Sequence, residues 1–321
     1  MVSSSGAPGS AVAAAGASAQ TANPPDLLAR AAARRWLRLS LLALLLVTAV
    51  WYWRGDRRAK LRAVQARRSF VLRWRSLAFY SALVTIGGAL STPMDRLADK
   101  LFWAHMLQHV LLMLVAPPLI ALAAPWMAFW RPLPLGLRRP LARAVVTSDP
   151  FEPLRRAARW IGSPVPAWLL FDLDLGLWHL PSLFDLTLRS QAVHYLEHAS
   201  FLLLGILFWC QVIDSPPFHS RLGKLGRVTF LMGGATASWL LAVVLEIAPS
   251  PLYPAYASLP SRPGGISALA DQQLAAGVML GPGSIPFAIA IFYGLYVWLG
   301  SEEPDERSSH LRRSVARTEQ R

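Results

Sequence analysis

The stretch AHMLQHVLLMLV places His105 and His109 four residues apart at the head of a long apolar run. Further on, VHYLEHASFLL carries His194 and His198 at the same spacing with Glu197 between them, and LGLWHLP carries His179. Residues at i and i+4 share one face of a helix, and imidazole is the commonest metal ligand. Ionisable groups set in apolar helices are costly and mark functional positions. A lone intramembrane histidine is accounted for by an interhelical hydrogen bond. Two spaced pairs and a fifth contributor at one depth point instead to a shared site that binds a metal ion.

The elements that must position these residues are apolar helices. The chain has 321 residues, is 54% hydrophobic and only 16% charged, and its mean hydropathy is +0.37. The charges come in blocks. Between them lie seven hydrophobic segments, about 36–53, 76–92, 101–130, 164–180, 194–213, 228–248 and 277–299, each near the length that crosses a bilayer as helix. The runs are continuous rather than alternating, which argues against a β-barrel. The expected fold class is therefore all-α, a polytopic membrane helix bundle of about seven transmembrane helices over residues 36–300. Residues 1–35 read as a disordered tail rich in Ala, Ser, Gly and Pro, and residues 301–321 as a charged cytoplasmic tail. Pro117, Pro118 and Pro125 are expected to kink or break the third segment, and Pro282 and Pro286 to distort the start of the seventh. No small-residue cleavage site follows the first segment, so it does not read as a cleaved signal peptide.

The net charge of +14 is explained by loops rather than by nucleic acid. Of the 32 Lys and Arg, nine fall in 54–75, seven in 131–163, three in 214–227 and five in the C-terminal tail. These regions lie on one side of the seven-segment topology, and the positive-inside rule makes that side cytoplasmic. Basic residues flank both ends of the first segment, so its own direction is poorly specified. Five of the seven histidines then fall in the outer leaflet or just above it, on three consecutive spans. At about 1.5 Å per residue, His105 and His109 lie about 6 and about 12 Å inside the third span.

Other polar groups return to that level. Asp271 and Gln272 sit just outside the seventh span, with Met279 about two turns further in. Asp172 is seven residues before His179, on the same helical face but about 10 Å deeper, and Asp174 points elsewhere. A carboxylate beside a ligating histidine can fix its tautomer, a supporting role open to Glu197 and Asp172. Met94, Met106 and Met113 read as packing residues. Cys210 is the only cysteine; it excludes an internal disulfide and lies about 24 Å from His194 along the helix. The donor set is rich in imidazole, with a thioether nearby and no thiolate, which suits Cu, Zn, Fe or Ni and leans towards copper.

Four blocks carry a resemblance: FWAHMLQHVLLMLVAPPLIALAAP, LWHLPSLFDLTLRSQAVHYLEHASFLLLGILFW, PLYPAYA and DQQLAAGVMLGPGSIPF. Together they cover roughly residues 76–299, and the chain resembles the CtaG family of cytochrome c oxidase assembly factors, the multi-span kind required by caa-type oxidases. The resemblance implies a multi-pass protein of the bacterial plasma membrane that helps to mature a haem-copper oxidase. It implies copper as the ion and oxidase subunits as partners. His105 and His109 fill the HMxQH positions, His179 the WHxP position, His194, Glu197 and His198 the HxxEH positions, and Asp271 and Gln272 the DQ positions. WCQVID and GVMLGPG depart from the tryptophan-bearing text expected there, which bears on the neighbourhood of Met279.

Three other readings compete with a copper-binding assembly factor. A seven-span zinc hydrolase needs three histidines and an activated water, with Asp172 or Glu197 as base, but the HExxH arrangement is absent from HYLEH. A haem-binding electron carrier needs two axial histidines on facing helices. A purely structural partner of the oxidase needs only hydrogen-bonded histidines.

Overall fold

The computed structural model describes residues 24–60 and 66–300. The chain is a membrane helix bundle, all-α, with no strand among the described residues. Among the described residues, five helices are long and apolar enough to cross a membrane: Leu39–Lys60, Phe102–Ala123, Gln191–Val212, Lys224–Ile247 and Ala268–Gly300. A sixth span arises if Phe70–Ala89 and Thr92–Ala98, bent by 49°, are one unit.

Two compact units divide within the first helix, α1 (Pro24–Lys60). The first unit, as far as Leu44, is helical from Pro24, inside the stretch expected to be a disordered tail. Ala, Leu and Arg dominate 24–35 and are strong helix formers, and a proline is favourable at the first helical position. The remaining expected tails, residues 1–23 and 301–321, lie outside the described residues.

The second unit runs from Leu45. It contains α2 (Ala66–Ala89), α3 (Thr92–Ala98), α4 (Phe102–Ala123), α5 (Trp126–Trp130), α6 (Leu135–Thr147) and α7 (Glu152–Ile161). It continues with α8 (Pro164–Trp178), α9 (Pro181–Arg189), α10 (Gln191–Val212), α11 (Lys224–Ile247), α12 (Pro254–Ala257), α13 (Ala268–Leu280) and α14 (284–300). Helix α4 is central: α3 and α13 pack on its first half, α2 and α10 on its second. Its core side includes Val110, Met113 and Leu114, against Phe171, Phe201 and Phe208.

The fourth expected span is shorter than the sequence suggested. Helix α8 has 15 residues, about 22 Å of helix against a hydrocarbon core of about 30 Å. Pro181 ends it: the residue before a proline is pushed out of the helical region, and Leu180 is extended at φ −65°, ψ 127°. The third segment behaves differently at its prolines. Leu111–Val115 widens into a π-turn and the helix continues through Pro117 and Pro118 to Ala123. The break comes at Ala124, which takes a left-handed conformation at φ 45°, followed by Pro125. As expected, the last span is interrupted, with a turn at 281–283 between α13 and α14.

Close helix contact behind the site depends on Gly205 of α10. A Cβ there would lie 2.8 Å from both the Met113 carbonyl oxygen and Cγ of Pro117. Gly205 lies two turns after His198, so it sets the spacing between the two helices that carry the paired histidines.

Candidate metal centre

Helices α4 and α10 bring together His105, His109, Glu197 and His198. All four are buried, and one ligand atom from each lies within 4.8 Å of the other three. Glu197 is fully buried, with its oxygens 3.7 Å from His105 Nε2 and 3.5 Å from His109 Nε2. Neither oxygen has a hydrogen-bond partner among the described residues, nor do both ring nitrogens of His109 and of His198. Buried polar groups are ordinarily paired, and an unpaired buried carboxylate is costly. A carboxylate and three imidazoles whose converging atoms have no hydrogen-bond partner among the described residues are a ligand set that a cation can satisfy.

The proton of His105 can be assigned from its neighbours. The Tyr256 hydroxyl donates to the carbonyl of Ala98, so its oxygen is left to accept from His105 Nδ1 at 3.1 Å. With the proton on Nδ1, Nε2 turns a lone pair towards Glu197. This is how an outer hydrogen bond orients a ligating imidazole. His179 is set in the same sense. It caps the C-terminus of α8, and its Nδ1 lies 2.7 Å from the Leu175 carbonyl, which can only accept. Its Nε2 therefore carries the lone pair, and it faces Met106 Sδ at 3.3 Å.

Around these groups α9 and the return loop between α11 and α13 (248–267) form an aromatic shell. The Phe184 ring lies 5.0 Å from His105, 5.4 Å from Phe102 and 4.4 Å from Tyr253 between centroids. The Tyr253 hydroxyl donates to the His179 carbonyl at 3.0 Å. Such a shell excludes water and strengthens electrostatic interactions within it.

A family model described as the cytochrome c oxidase caa3 assembly factor (Caa3_CtaG) matches residues 50–301. The chain belongs to this family. An uncharacterized protein of Mycobacterium bovis and another of Mycobacterium tuberculosis are each 26% identical to it over 202 residues, 62% of this chain and 30% of theirs. The chain thus spans less than a third of the length of these curated relatives. No solved structure matches it.

In this member of the family the remaining sequence candidates take different places. His194 lies at the rim: its ring is 4.1 Å from His198 and 5.1 Å from His105 between centroids, but it is outside the group of four. Asp271 is a helix cap. Its Oδ2 accepts from Phe102 N at 2.8 Å and its Oδ1 from Trp103 N at 3.1 Å, fixing the start of α4 one turn before His105. A carboxylate there also complements the helix dipole. Gln272 donates to the Leu245 carbonyl at 2.9 Å and accepts from Leu252 N at 2.7 Å, tying α13 to α11 and the return loop.

Asp172 is not in the group of four. It is half-buried, and its oxygens have no hydrogen-bond partner among the described residues. The inward carboxylate of α8 is Asp174, the one expected to point elsewhere; it accepts from Trp178 Nε1 at 2.9 Å. Glu197, read as a supporting residue, stands among the converging donors. Tyr256 was missed as a group that sets a tautomer, although it lies in the PLYPAYA block. Met106 packs in a buried apolar cluster with Phe102, Phe184 and Met279, as expected, and its sulfur also lies 3.3 Å from His179 Nε2.

Proposed function

We propose that this member of the family acts in maturation of a haem-copper cytochrome c oxidase by holding a copper ion at His105, His109, Glu197 and His198. The reading is carried by one observation: four buried donors from two helices converge within 4.8 Å of one another. Three imidazoles and a carboxylate suit copper, and the fixed Nδ1–H of His105 turns its free nitrogen to the ion. His194 and His179 flank the group as further imidazoles, and Asp271 and Gln272 hold the helices that position it. The charge distribution supports a multi-pass protein of the bacterial plasma membrane with its C-terminus in the cytoplasm. The metal group would then lie towards the outer face, and the oxidase would receive the ion within or above the membrane.

The test is maturation of the oxidase in cells whose only copy of this chain carries His105→Ala and His109→Ala. Copper per oxidase should fall severalfold, with the variant present in the membrane at the wild-type level. Normal copper content in that strain would refute the reading. Zinc rather than copper in the purified chain, with a hydrolytic activity lost in Glu197→Gln, would favour an enzyme.

A further inference from the structure

Beside the four-ligand group lies a second, smaller space. It measures about 20 Å³ and is lined in part by Met106, His109, Met113, His179, Ser238 and Met279. Each of these six side chains is buried, none above 6% exposed. The volume is that of a single small occupant. His109 belongs to both places: it lines this cavity and is one of the four converging donors.

The chemistry of the lining differs from that of its neighbour. The four-ligand group offers nitrogen and carboxylate oxygen. The cavity offers three thioethers and two imidazoles. Methionine is a good gap-filler, but packing does not account for a buried imidazole nitrogen aimed at sulfur. The Leu175 carbonyl requires the proton on Nδ1 of His179, so Nε2 is a bare lone pair 3.3 Å from a thioether that also has only lone pairs to offer. A water molecule can donate to Nε2, but the thioethers of Met106, Met113 and Met279 are only weak acceptors for its second hydrogen. A soft cation is well served, since thioethers select copper(I). An ion about 2.0 Å from nitrogen and about 2.3 Å from sulfur would see a 3.3 Å separation at an angle of about 100°, an ordinary value for two ligands of one ion.

We propose that Met106, Met279 and His179 form a second station that takes a monovalent soft cation of the copper(I) class, with His109, whose neutral ring has a single lone pair, serving one station at a time. The inference rests on the metal reading of the four-ligand group and deepens it. Copper(I) moves between the two stations by ligand exchange at His109. It leaves carboxylate and imidazole for thioether without change of oxidation state, so no electron donor is required. The order of ligands sets a direction of increasing softness, from Glu197 towards Met106 and Met279.

The experiment loads the full-length, detergent-purified chain with copper(I) under reducing conditions and reads copper per chain and the X-ray absorption fine structure. Wild type should hold two ions, with sulfur scattering at about 2.3 Å. Met106→Leu/Met279→Leu, a volume-conserving change that cores tolerate, should hold one ion and lose the sulfur shell. Its zinc content, which reads the four-ligand group alone, should equal that of wild type. One copper in wild type with nitrogen and oxygen neighbours only would overturn the station and leave the four-ligand reading standing. An unchanged sulfur shell in the double variant would likewise overturn it. Copper and zinc both absent from wild type would overturn the four-ligand reading itself, and a sulfur-bound ion that survives His198→Ala would separate the two.

Discussion

Asp271→Asn tests whether the acidic residue of the DQ pair holds a metal or holds a helix. In the structure each carboxylate oxygen accepts one backbone N–H at the start of α4, at 2.8 and 3.1 Å, and the residue is 1% exposed. Hydrogen bonds to a charged group contribute about 1.5–3 kcal/mol each, and a buried N–H left without an acceptor costs about 1–3 kcal/mol. Asparagine keeps one acceptor and turns an NH2 towards the other N–H. It also removes the charge that faces Arg262 Nε at 3.8 Å. The expected loss is about 2–4 kcal/mol, read from reversible unfolding in mixed micelles by circular dichroism. Because α4 starts one turn before His105, the ion should bind about 10–100-fold more weakly, as expected for a change in a supporting residue, yet reach full occupancy at saturating concentration. A stability change under about 0.5 kcal/mol, the range of surface substitutions, would refute the capping role. Full stability with loss of bound metal at saturation would show that Asp271 is a ligand.

Three further outcomes follow from the same geometry. Tyr256→Phe removes the oxygen that accepts from His105 Nδ1, so metal affinity should fall about 10–100-fold with unchanged stoichiometry, measured by competition with a chromophoric chelator. Gly205→Ala places a methyl 2.8 Å from the Met113 carbonyl; overpacking of this kind costs about 1–3 kcal/mol, and the unfolding midpoint in mixed micelles should drop accordingly. Asp172→Asn should leave metal content unchanged, since Asp172 is outside the converging group, and should not lower the unfolding midpoint, since its two buried oxygens have no hydrogen-bond partner among the described residues to lose.

The histidine set was legible because helical spacing and segment order are both written in the chain. His105 with His109, and His194 with His198, declare a shared face, and alternating span direction brings them to one level. What spacing does not carry is where a helix stops. Pro181 stops α8 short of a full span, with His179 as its cap, and the buried carboxylate of that helix is Asp174. Pro117 and Pro118 follow a wide turn at Leu111–Val115 without ending the helix, and the break falls at Ala124, just before Pro125. Contacts across the fold were not legible at all. The bond from His105 to Tyr256 spans 151 residues and the contact of His179 with Met106 spans 73, and no local pattern encodes either partner. Asp271 and Gln272 were found as polar residues near the site, but their bonds show them to be fasteners of α4 and α11.

The central claim is that His105, His109, Glu197 and His198 hold an ion while His194 stands at their rim. Its most direct test is the copper bound per chain by the purified protein after loading under reducing conditions, compared across wild type, His194→Ala and His198→Ala. The account predicts the same content for wild type and His194→Ala, and one ion fewer for His198→Ala. Equal copper in wild type and His198→Ala, or no copper in wild type, would contradict it.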